Sequence, residues 1–123
     1  MKENILKSKS FEFAVQVITI SQQLKSDHRE FELSKQLIKS GTATGALIRE
    51  AEQAESKKDF VHKLSIALKE ANETNYWLDL LLATKLISKE EHHKISGSCL
   101  EIVRLLAASV KTSKSKYLSG NNV

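Results

Sequence analysis

The stretch SGTATGALIREA at residues 40–51 is the chain's nearest approach to a phosphate-binding loop. Such a loop needs G-x-x-x-x-G-K-[ST] between a strand and a helix, so that backbone N–H groups surround the phosphates and a lysine reaches them. Gly41 and Gly45 stand one residue too close, Ala46-Leu47 replaces the Lys-Ser/Thr pair, and no strand pattern precedes them. Helical phase gives another answer. On one continuous helix Ser34, Leu37, Ile38, Gly41, Gly45 and Ile48 share a face. The glycines therefore belong to a helix-packing motif on a buried stripe. Each costs its helix about 1 kcal/mol relative to Ala, and close approach by a neighbouring helix is the expected compensation.

Other groupings carry metal or acid–base potential. Glu90-x-x-His93 has the i, i+3 spacing of carboxylate-bridged di-iron bundles, but such a centre needs two of these motifs and further glutamates on facing helices. The chain has no second copy. His92 and Cys99 share a helix face, yet seven residues span about 10.5 Å at the helical rise, too far for one metal. Cys99 reads as a small core residue. Glu70 and Glu73, with Glu50 able to join them, could serve as acid and base or hold a cation. No nucleophile accompanies them, and Arg49, Lys63 and Lys69 offer simple ion pairing. No Ser/His/Asp set assembles. The residues thus specify no catalytic site, metal or cofactor.

The remaining candidates are lysines. Lys111, Lys114 and Lys116 lie in KTSKSKY, where they could contact a phosphate backbone nonspecifically and in a salt-dependent way. The net charge of +4 is concentrated at the termini: residues 1–10 carry +2, residues 101–123 carry +3, and the middle carries −1. Lysines at a helix end also complement its dipole, so one set of tail lysines is a weak signal. A ring of subunits would multiply it.

Helices must position these groups. Capping boxes are legible at Asp27-x-x-Glu30, Ser56-x-x-Asp59 and Ser88-x-x-Glu91, with a weaker start at Ser8 or Ser10. They predict four helices over about 9–25, 28–55, 57–85 and 89–113, in one domain spanning 1–123 with a flexible tail at 114–123. Short connections predict antiparallel neighbours. No period-2 alternation is sustained, and proline is absent, which favours long uninterrupted helices.

Helix phase also divides the apolar residues. The first helix places Phe11, Ala14, Val15 and Ile18 on one face and Phe13, Val17, Ile20 and Leu24 on another, leaving a narrow polar strip of Glu12, Gln16, Thr19 and Gln23. A monomer's surface helix needs one apolar stripe. The second predicts burial against another subunit, and Phe13, Val17, Ile20 and Leu24 are the residues assigned to that interface. Ile66 and Trp77 repeat the pattern on the third helix, off its stripe of Phe60, Leu64, Ala67, Ala71, Thr74, Leu78 and Leu82, and interleaved with Glu70 and Glu73. Aromatic anchors of this kind are enriched in interfaces. The fourth helix has one stripe, running through Ile95, Cys99, Ile102, Val103, Leu106 and Val110.

At 123 residues the chain is long enough for a core without staples, and its single cysteine makes an internal disulfide impossible. No run approaches the ~20 apolar residues of a membrane span, and the N-terminus lacks a signal-peptide core. A cytoplasmic protein with no membrane partner is expected.

The run SKQLIKSGTATGALIREA, followed by ES, DF, HKLSIALKEA and ETNYWLDLL, closely resembles the bacterial 23S rRNA-intervening sequence protein family, also described as ribosomal-protein-like. The resemblance is carried by Ser40, Gly41, Thr42, Gly45, Glu50, Ala51, Phe60, Ala67, Glu70, Glu73 and Trp77. It implies an up-down-up-down antiparallel four-helix bundle assembled as a homopentameric ring. It also implies kinship with the accessory variability protein of diversity-generating retroelements, a basic pentamer that binds nucleic acid and a reverse transcriptase. Where the family usually carries Asn, this chain has Leu47. The expected function is a non-enzymatic homo-oligomer that binds RNA or another nucleic acid. The alternative is a scaffold or protein–protein adaptor that binds none.

Overall fold

The computed structural model describes residues 2–116. Four helices follow one another: α1 (Lys2–His28), α2 (Glu32–Ala51), α3 (Lys57–Ala83) and α4 (Lys89–Lys114), with no strand among the described residues. Each packs along the next, and α4 returns beside α1 at the least intimate of the four seams. The result is an all-α four-helix bundle. The polar strip of α1, with Gln16, Thr19 and Gln23, borders that loose seam opposite Glu91 and Lys94 of α4.

Local chemistry sets the ends of the elements. Ser88 makes a full capping box: its Oγ accepts from the Glu91 N–H and the Glu91 carboxylate accepts from the Ser88 N–H. Ser56 caps α3 by accepting from the Asp59 N–H at 3.0 Å, but Asp59 reaches back to the Glu55 N–H instead of Ser56's own. The third box differs from expectation. Asp27 lies inside α1, which runs on to His28 and is stopped by Arg29 in the left-handed region at φ 52°. Glu30 turns its carboxylate forward onto the Leu33 N–H at 2.6 Å and so serves the start of α2. Lys85, at φ 62°, ends α3 the same way: its N–H bonds the Leu82 carbonyl and the Leu86 N–H bonds that of Leu81, a Schellman pattern.

Two other boundaries differ. α1 begins well before residue 9, since nothing between Lys2 and Ser10 breaks a helix. α2 stops at Ala51, four residues short of its expected end, where Glu52, Gln53 and Ala54 tighten into i to i−3 bonds. Lys114 closes α4, and Ser115 and Lys116 continue in a π-helical turn. The tail expected to be flexible from 114 is therefore helical as far as 116, and its residues 117–123 lie outside the described residues.

The core corrects the reading of α1. Phe13, Val17, Ile20 and Leu24 are buried inside their own chain, together with Leu37, Ala67, Leu78, Ile102 and Leu106. They are not an intersubunit surface. The exposed apolar face is the other one, with Phe11 at 58%, Val15 at 50% and Ile18 at 40% exposure. The reason is steric. The Phe13 face also carries Ser10 and Ser21, small residues that let α1 approach the small residues of α2. Ser21 and Ser34 exchange hydroxyl-to-carbonyl hydrogen bonds at 3.4 and 3.3 Å.

The glycine stretch lies within α2, as phase predicts. A Cβ on Gly41 would stand 2.8 Å from both methyls of Val17, and one on Gly45 would stand 3.4 Å from the Ser10 carbonyl oxygen. Helix α1 is thus the neighbour that requires Gly41, whereas a methyl at Gly45 would only meet it in ordinary contact. On the far side of α2, Thr74 Oγ1 lies 2.8 Å from Ser40 Oγ and 2.7 Å from the Glu70 carbonyl, which fixes α3 by a buried hydroxyl contact.

Candidate functional site

The groups with catalytic or metal-binding potential do not converge. Glu90 and His93 are exposed at the start of α4. His92 instead pairs with Asp79 of α3 at 2.8 Å. Among the described residues, no three His, Cys, Asp or Glu side chains gather where a metal ion could be held. Glu50 joins neither Glu70 nor Glu73; it binds Lys63 of α3 at 3.1 Å, and that hydrogen bond and charge raise the Lys63 pKa above its ordinary value. Glu73 accepts from the Trp77 indole N–H at 3.2 Å.

Cys99 is fully buried, with its Sγ donating to the Ala71 carbonyl at 3.2 Å. Burial first, and the nearby Asp79 charge second, push its thiol up to about 12 from an ordinary 9.0. The unfolded chain therefore releases this proton first as pH rises. The stability linked to the thiol is intact below pH 9 and declines between 9 and 12, by about 1.4 kcal/mol per pH unit at most. Cys99→Ser, which keeps a donor to Ala71 but does not ionise, is expected to lose less stability than wild type over this window. Parallel urea curves at pH 8 and 10.5 check it.

Surfaces remain, and the first is an end of the bundle. The up-down course brings the start of α1, the end of α2, the start of α3 and the end of α4 together. Lys111 and Lys114 of α4 and Lys116 just beyond it are exposed there, at the same end as the exposed Lys57 and Lys58 that open α3. Lys111 and Lys114 form no ion pair among the described residues, whereas Lys7 is tied to Glu52 at 3.1 Å and Lys9 to Glu101 at 3.2 Å. A cavity of about 190 Å³ opens between the helix ends, floored by Leu6, Ile48, Ala51, Phe60 and Leu64, with Lys116 on its rim. Sequence alone did not single out Lys57 and Lys58. The Ser56 cap combined with an up-down topology was the signal that puts them at the same end as the C-terminal lysines.

The second surface is lateral. The exposed face of α1 continues onto α2, where the Arg49 guanidinium lies over the Phe11 ring, 5.7 Å from its centre. On the adjacent side, between α2 and α3, Ile66, Glu70 and Trp77 are half-buried and Glu73 is exposed. Tyr76 meets Trp77 edge-on with ring centres 5.2 Å apart. Leu47 is half-buried against the core, an apolar contact where an Asn would need a polar partner.

A 23S rRNA-intervening sequence protein family model matches residues 2–108. The chain belongs to that family. A crystal structure from Bacteroides thetaiotaomicron, described as a protein of unknown function from the S23 ribosomal protein family, is 50% identical and superposes with a TM-score of 0.88. That alignment covers 90% of this chain and 99% of the other. No curated protein matches significantly. Among the described residues, no helix of this family member is long and apolar enough to cross a membrane.

Proposed function

We propose that this family member is a non-enzymatic, cytoplasmic homo-oligomer, a pentameric ring, that binds structured RNA through the basic end of its bundle. The observation that carries the reading is the convergence of Lys111, Lys114 and Lys116 with Lys57 and Lys58 at one end of the fold. Lysines from two helices, far apart in sequence, come to one end, and a ring repeats that end once per subunit. The family's description, which refers to an intervening sequence within 23S rRNA, makes RNA the first polyanion to test. Phosphate contacts of this kind give affinity without sequence readout and weaken steeply with salt.

Lys111→Glu/Lys114→Glu is expected to weaken binding of a structured RNA at low salt by at least tenfold. It should also flatten the log–log salt dependence by about one unit for each lysine that no longer meets a phosphate. Fluorescence anisotropy across a salt series reads both. Unchanged affinity in the variant, or no binding by wild type at micromolar protein, would exclude this surface. A scaffold that engages proteins is the second reading. Phe31 and Tyr76, exposed at 59% and 57%, favour it by offering aromatic contacts outside the basic end. Complexes that survive nuclease and high salt would select it.

A further inference from the structure

The two lateral surfaces are complementary. The side formed by α1 and α2 presents Phe11 and Ile18, and the charges on the same helical phases are Lys25, Lys35 and Arg49. All three are exposed cations that form no ion pair among the described residues. The side formed by α2 and α3 presents Ile66 and Trp77 with Glu70, Glu73 and Asp59, and its Glu50 is already neutralised by Lys63. Lys39 and Lys69 are the further cations on those phases, and the exposed Glu32, two turns before Lys39 on the same phase, offsets one of them. One side is apolar and basic, the other apolar and acidic. Like sides meeting across a two-fold axis would set cation against cation or acid against acid, which costs affinity.

We infer that the α1–α2 side of one copy docks on the α2–α3 side of the next copy, head to tail. The inference rests on the homo-oligomer reading above and adds which faces meet. Its geometry closes. Adjacent sides of a four-helix bundle face about 90° apart, so each docking step turns the next copy by roughly that angle; about 90° closes four copies and about 72° closes five, whereas docking through opposite sides would build an open filament. Helix α2 belongs to both sides and sits at the inner corner of each contact.

The test is a charge exchange. Lys35→Glu/Arg49→Glu reverses one face and Glu70→Lys/Glu73→Lys reverses the other. Each pair alone places like charges across every contact and is expected to weaken assembly at least tenfold in sedimentation velocity, with circular dichroism showing an intact helical fold. The four substitutions together restore opposite charges throughout, so assembly should return. If wild type assembles and both pairs assemble equally well, or if the fourfold variant stays as dissociated as either pair, the head-to-tail pairing is wrong while the homo-oligomer reading stands. A monomeric wild type at micromolar concentration would sink both.

Discussion

Gly41→Ala is expected to destabilise the protein, although alanine is the better helix former by about 1 kcal/mol. The added Cβ would lie 2.8 Å from both Val17 methyls, inside any tolerated contact. Val17 has 0% exposure and a β-branched side chain held to one helical rotamer, so it cannot swing aside. Either α1 and α2 separate locally or a rotamer is forced, and overpacking of this kind costs about 1–3 kcal/mol. The net loss is thus up to about 2 kcal/mol, and Gly41→Leu should cost more. Gly97 supplies the control. Nothing lies within 4 Å of a Cβ built there, so Gly97→Ala should gain about 0.5–1 kcal/mol from propensity alone. Opposite shifts in urea midpoint for two substitutions of identical chemistry would isolate the α1 contact. Val17→Ala should relieve Gly41→Ala, giving a coupling of about 1 kcal/mol or more in a double-mutant cycle. If Gly41→Ala proved as stable as wild type, helix approach would not be the reason for the glycine.

The contact that makes Gly41 necessary is long-range, and this marks how far the sequence could be read. Phase along α2 was enough to move Gly41 and Gly45 from a loop to a helix interior, because a helix keeps its register over five turns. Phase could not name the neighbour. The caps at Ser56 and Ser88 were legible because their hydrogen bonds close within a few residues. Asp27-x-x-Glu30 has the same letters but lies where α1 has no reason to stop until Arg29, so the acid at 30 serves the following helix.

Among the candidate surfaces, helix termini could be read only after topology was known. Lys57 and Lys58 are more than fifty residues from Lys111, and only the antiparallel course of the chain brings them to one end. The pairing of Glu50 with Lys63 and of Trp77 with Glu73 likewise turns apparent acid clusters into ordinary surface contacts. Such exposed pairs contribute little stability. Their importance is in how they leave charge distributed: the α2–α3 side remains acidic because Glu50 alone is neutralised there.

Phe13 and Phe11 are two residues apart, and their substitution should produce different failures. Phe13 is 1% exposed among Val17, Leu24 and the core residues of α4, so Phe13→Ala removes buried ring contacts and leaves a cavity, a change worth about 3–5 kcal/mol. A marginally stable domain loses a large share of its stability at that cost. Phe13→Glu adds an unpaired buried charge and should leave the chain unfolded. Phe11 is 58% exposed, with Arg49 over its ring. Phe11→Glu should therefore leave the monomer's helicity intact and its denaturant midpoint, measured on dissociated protein, within about 0.5 kcal/mol of wild type. If the exposed face of α1 holds copies together, the same substitution should shift light-scattering mass toward the monomer. The sequence alone assigned the Phe13 face of α1 to a subunit interface. Ser10 and Ser21 separate the two faces: small residues on one face allow contact with Gly45 and Ser34, and the other face is left outward for a partner. Dissociation caused by Phe13→Ala without loss of helicity would reverse that assignment.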